Sequence, residues 1–92
     1  MQSGFNHNVK YRGRLFHVQT EDAGVESAQV VTCIFCGGAI VSVARRSYRE
    51  LLGRPDAREA VRDLMKVQHL EEIRRLYSGA LDARIRELSA DA

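Results

Sequence analysis

The chain has 92 residues, 45% of them apolar and 28% charged, with fourteen basic and twelve acidic side chains for a formal net charge of +2. This size supports one domain, residues 1–92, with one modest core, and the ordinary composition excludes both a disordered chain and a disulfide scaffold. A net charge of +2 is too small to imply nucleic acid or an anionic membrane by itself. No apolar run reaches the length of a membrane span, and the opening MQSGFNHNVKYRGR lacks the basic-then-apolar order of a signal peptide, so the expected compartment is the cytoplasm, where thiols stay reduced.

In chain order, FNHNVKYR (5–12) and RLFHVQTE (14–21) read as two strands around Gly13. In the second, Phe16, Val18 and Thr20 share one side and Leu15, His17 and Gln19 the other, as in a sheet with one buried face. Asp22-Ala23-Gly24 is a loop signal. Ala28–Cys36 and Ala39–Arg45 are the third and fourth strands, apolar on both sides and so expected to be the most covered. SYRELL (47–52) has a Ser at the N-cap position, Glu three residues on and Gly53 as a stop, the pattern of a turn or two of helix.

Pro55-Asp56 opens the main helix, Asp56 to Tyr77, with Asp56 and Glu59 approximating a capping box. Ala57, Ala60, Val61, Leu64, Met65 and Gln68 form one stripe at helical spacing. Beyond His69, the residues Leu70, Ile73, Leu76 and Tyr77 drift to another side. Ser78-Gly79 breaks the pattern, and Leu81, Ile85 and Leu88 make a row in a last amphipathic segment. The sequence therefore predicts a β-meander over 5–45 and a helical part over 47–90. In an α+β domain this small, one sheet face and one covering helix cannot easily bury both C-terminal rows. Leu70, Ile73, Leu76, Tyr77, Leu81, Ile85 and Leu88 are the expected interaction surface, with a two-fold homodimer as the simplest partner.

The two cysteines lie in AQVVTCIFCGGAIVSVAR, which supports two incompatible structures. Gly37-Gly38 between β-branched runs predicts a two-residue β-hairpin. Cys36 then faces Ala39, Ile34 faces Val41 and Cys33 faces Ser42. Cys33 and Cys36, three apart in a strand, point to opposite faces, where they can neither form a disulfide nor share a metal. C-x-x-C-G is also half of a zinc knuckle, which would need two further ligands from His7, His17 and His69, with no second C-x-x-C and no H-x3-H available. Apolar Ile34 and Phe35 between the cysteines suit the strand. A thioredoxin-like pair would require a helix after the second cysteine, where another strand follows.

Other candidate chemistry is weaker. His17 with Glu21 or Asp22 has the residue types of an acid–base pair, but along a strand these groups diverge and no nucleophile joins them; Gln19 and Thr20 are expected to hold loop amides. Gln68-His69 is expected at the edge of the buried helix face. Arg45, Arg46, Arg49, Arg54, Arg58 and Arg62, mixed with Glu50, Asp56 and Glu59, read as a solvated salt-bridged face, with Tyr48 alone as an interleaved aromatic.

HVQTED, the Gly-Gly hairpin and the helix around LMKVQH resemble a group of small uncharacterised bacterial proteins and domains that share a YHVQTED-like strand, a glycine turn and a helix with a Q-H pair. The resemblance covers residues 5–82 and implies a bacterial cytosolic protein without implying an activity. In that group the positions of Cys33 and Cys36 need not be cysteine. The fold expected is a four-stranded, largely antiparallel meander covered on one face by a long helix, with a C-terminal amphipathic helical extension. The function expected is a non-enzymatic interaction module, without cofactor or membrane attachment, that self-associates or binds a protein partner. The alternatives are zinc binding through Cys33 and Cys36, or nucleic-acid binding through the Arg45–Arg62 cluster.

Overall fold

Gly37 and Gly38 adopt φ of +57° and +83°, the two consecutive left-handed positions of a type I′ turn, whose twist matches that of the strands it joins. In the computed structural model, which describes residues 2–90, this turn joins the last two strands of a meander: β1 (Phe5–Tyr11), β2 (Arg14–Asp22), β3 (Gln29–Cys36) and β4 (Ala39–Ser47). The sheet is antiparallel throughout, in the order β1-β2-β3-β4.

The register of the last hairpin differs from the sequence expectation by one residue. Cys36 pairs with Ala39 and Phe35 with Ile40, but Ile34 then faces Ser42 and Cys33 faces Val43. Val41 is an extra residue in β4, a β-bulge. Side chains alternate, so one added residue reverses the rest of the strand. Val41 is buried with the core, Ser42 and Ala44 turn to the covered side, and Val43 and Arg45 turn to the open side.

β4 continues through Ser47, and a 3-10 turn, Arg49–Leu51, takes the place of the short helix expected over 47–52. The Ser47 hydroxyl accepts the Arg49 N–H at 3.2 Å. The main helix, α1 (Ala57–Tyr77), begins where predicted. Its expected capping box is absent: the Asp56 carboxylate makes no bond to the first-turn N–H groups and instead takes both Nε and Nη2 of Arg54, at 2.8 and 2.6 Å. The bidentate guanidinium two residues upstream outcompetes the neutral backbone amides.

α1 buries Val61, Met65, Gln68, His69, Glu72 and Leu76, a single straight stripe at i, i+4, i+7, i+8, i+11 and i+15. The drift expected past His69 does not occur. Polar His69 and Glu72 continue the stripe past Gln68, which the sequence already places in it. Gly79, at φ +88°, ends the helix in the left-handed conformation with its N–H on the Leu76 carbonyl, and α2 (Asp82–Ala90) folds back.

Two apolar clusters hold the helices to the same face of the sheet. Ala28, Val30, Tyr48, Val61 and Met65 form one; Phe16, Val18, Ile34, Val41, Leu76, Leu81 and Ile85 form the other. Burying a side chain of this size contributes about 1.5–3 kcal/mol. Between the clusters runs the sheet row Thr20–Thr32, fully buried, beneath Gln68 and His69.

Candidate functional site

The polar seam is held by one continuous series of hydrogen bonds. Gln68 Nε2 donates to Thr32 Oγ1 at 3.1 Å and to the Val30 and Ala44 carbonyl oxygens at 3.2 Å. Thr32 Oγ1 lies 2.7 Å from Thr20 Oγ1, Thr20 Oγ1 lies 2.7 Å from His69 Nδ1, and His69 Nε2 lies 2.8 Å from His7 Nδ1. Only the Gln68 bonds have a fixed direction, since an amide nitrogen cannot accept. Each threonine hydroxyl has one proton and two lone pairs, so the rest of the series follows the His69 tautomer: with its proton on Nε2, His69 accepts from Thr20 and donates to His7, and with its proton on Nδ1 both bonds reverse. Burial, and secondarily the neighbouring His7, hold the His69 pKa below its ordinary value. The expected place of Gln68-His69 at the edge of the buried face is thus corrected: both are buried and central, because the sheet offers threonine hydroxyls and carbonyls to satisfy them.

HVQTED divides between the two faces of β2. Thr20 joins the seam and Asp22 is buried with it; His17, Gln19 and Glu21 face the open side. Asp22 Oδ1 accepts the Tyr48 hydroxyl at 2.6 Å and the Gly24 N–H at 2.8 Å, and Oδ2 accepts the Gln2 N–H at 3.1 Å. Burial pushes this carboxyl up, but the three donors outweigh it and hold it below the usual carboxylate range. The partner Tyr48 is pushed up to about 12 by burial and by Asp22. The loop anchor is therefore Asp22, in place of the Gln19 and Thr20 expected. Gln19 donates to Glu21 at 2.6 Å, and His17 is bracketed by Asn8 and Asn6.

Cys33 and Cys36 are free and lie on opposite faces, Cys36 against the core and Cys33 on the open side. They do not form a chelating pair, and His7 and His69 are joined to each other beneath the other face. Burial raises the Cys33 thiol pKa, with Arg45 opposing and Glu21 adding to it, so the thiol stays protonated. The arginines separate around the surface. Arg46 pairs with Glu71, Arg54 with Asp56, Arg49 reaches the Glu26 carbonyl, and Arg62 lies over the Phe5 ring while bonding the Ser3 carbonyl.

The C-terminal rows lie largely within the chain's own core. Leu76, Leu81 and Ile85 are buried together, with Ile73 and Leu88 packed against them. The premise that so small a domain cannot bury both rows is corrected: α1 leaves the hairpin end of the sheet uncovered, and α2 fills it. Of the seven residues, Leu70 and Tyr77 remain half exposed.

Exposed apolar side chains are also found on the sheet, besides Val25, Leu52, Val67, Leu70 and Tyr77 elsewhere. Both helices pack on one face, so the opposite face carries Leu15, Val31, Cys33, Phe35, Ile40 and Val43 with no element over them among the described residues. Leu15, Ile40 and Val43 are 56%, 48% and 42% exposed. One cross-strand row of this face reads Glu21–Val31–Arg45, opposite charges at its ends and a valine at its centre. Sequence reasoning missed this face because the bulge, which sends Val43 and Arg45 to it, leaves no signal in the hydrophobic pattern. No protein-family model, curated protein or solved structure matches the chain.

Proposed function

We propose that this chain is a small, non-enzymatic interaction module that self-associates through the open face of its sheet. The observation that carries the reading is the row Glu21–Val31–Arg45. A two-fold axis along β3 lays β2 of one copy over β4 of the other, so Glu21 meets Arg45 at both ends and Val31 meets Val31 at the centre. Such a surface is complementary to itself, the requirement for a two-fold interface. With the axis on β3, the strands β2, β3 and β4 overlap; spaced about 4.8 Å apart and about eight residues long, they span roughly 380 Å² of projected face. Pleated side chains raise the accessible area above this, into the range of a small, reversible interface.

Light scattering on the purified chain at micromolar concentration tests the reading. A particle of twice the 10.4 kDa chain mass is expected. Val43→Glu with Ile40→Glu should give a folded monomer, since both side chains already face water in the isolated chain. Glu21→Arg alone should weaken the pair, and Glu21→Arg with Arg45→Glu should restore it. A wild-type chain that stays monomeric at high micromolar concentration overturns the proposal.

A further inference from the structure

A second surface, away from the open face, has the make-up of a ligand site. Where the β1–β2 turn meets the start of α2, Tyr11, Arg12, Arg14, Phe16, Asp82, Ile85 and Arg86 line a pocket of about 250 Å³. Its floor is apolar, from the buried Phe16 and Ile85. Its rim carries three guanidinium groups and one carboxylate. Asp82 is already engaged, accepting the Tyr11 hydroxyl at 2.8 Å and facing Arg12 Nη2 at 3.8 Å. Tyr11 in turn accepts Arg12 Nε at 3.1 Å. Arg14 is held by the neutral Ser89 hydroxyl, and Arg86 stands one helical turn beyond Asp82. Three positive charges against one negative leave the rim with an excess of two.

The backbone supplies an independent observation. Arg12 has φ +51°, in the first central position of the two-residue β1–β2 turn, with Gly13 at +76° beside it. That position favours Gly, Asn or Asp, and a long side chain there is held in a sparsely populated conformation. The unfavourable residue is the one that places a guanidinium on the pocket rim, and backbone strain retained at one point commonly marks a functional group.

We propose that this pocket binds a phosphate monoester, with Arg12, Arg14 and Arg86 on the dianion and the apolar part of the ester against Phe16 and Ile85. Guanidinium forks match the oxygens of such an anion, and the dianion matches the excess charge. Phenyl phosphate is the probe, titrated into the isotope-labelled full chain at low ionic strength and followed by amide chemical shifts. Saturable shifts are expected at Tyr11–Arg14 and along the first turns of α2. Arg12→Gly and Arg86→Gln should each weaken binding tenfold or more, and Arg12→Gly should at the same time raise the melting temperature by relieving the turn. A merely structural Arg12 would not give that opposite pair of effects. Equal binding of neutral phenol, shifts at other arginines instead of these, or affinities within twofold of wild type in both variants would overturn the proposal.

Discussion

Gln68→Met isolates what the buried amide contributes to the joint between α1 and the sheet. Methionine keeps the length of the side chain and its helix preference but donates no hydrogen bond. The amide nitrogen reaches three acceptors at 3.1–3.2 Å, yet it carries two hydrogens, so it makes the equivalent of two full bonds. At about 1 kcal/mol net for each, with the Thr32 hydroxyl left short of a donor, the loss is about 2–3 kcal/mol. Burying a thioether offsets part of it, leaving about 1–2 kcal/mol. In a domain of this size that lowers the melting temperature by about 5–15 °C. Urea titration should show a lower midpoint with an unchanged slope, while Val67→Gln on the exposed flank of α1 should stay within about 0.5 kcal/mol. Thr32→Val on top of Gln68→Met should cost less than Thr32→Val alone, because the two share one bond. If Gln68→Met matches or exceeds wild-type stability, the seam contributes nothing and the two apolar clusters hold the helix alone.

Three further outcomes follow from the same structure. The His69 pKa is lowered by folding, so the folded state binds fewer protons than the unfolded state just below pH 6.5. Stability should be complete above pH 6.5 and fall as the pH drops toward the folded-state pKa, and His69→Gln should flatten that decline; a wild-type midpoint that does not move between pH 7 and 5 contradicts this. Tyr48 keeps its proton to about pH 12, whereas an unfolded tyrosine releases it near pH 10, so stability should fall between those values and Tyr48→Phe should remove that dependence, read by denaturation at pH 9 and 11. Cys36→Ser places a hydroxyl against the core and should cost about 1–3 kcal/mol by thermal melting, against less than about 0.5 for Cys33→Ser on the open face; equal costs would show that the thiols do not face opposite sides.

The meander was legible in the sequence because its signals are local. Gly37-Gly38 between β-branched runs, Gly13 between alternating strands, and Pro55-Asp56 before a periodic stripe each act within a few residues. What escaped was decided between elements. Gln68 and His69 read as the edge of the buried face and not its centre, since nothing in their own helix shows that Thr20 and Thr32 wait beneath them, and Glu72 carried no signal of burial. Leu81 and Ile85 read as unpartnered because the angle at Gly79 determines whether α2 turns toward the sheet. The open face was missed for a related reason: strand alternation was extrapolated through Val41 without interruption, which put Val43 and Arg45 on the wrong side.

That extra residue in β4 makes a slip of register and a substitution very different events for this chain. A point change at Val43 alters one square of the surface. Deleting Val41 would only remove the bulge, since Ser42 already faces Ile34 and every later pair would keep its side. A slip that pairs Val41 with Ile34 would instead exchange the two sides of the strand's second half at a stroke, sending Val43 and Arg45 under α1 and bringing Ser42, Ala44 and Arg46 to the open face. The guanidinium of Arg45 would enter the covered side, and the opposite charge to Glu21 would leave its row. The outer surface and the inner packing are thus wired to the same register. The bulge therefore decides what this strand presents more than the identity of any single residue between Gly38 and Ser47.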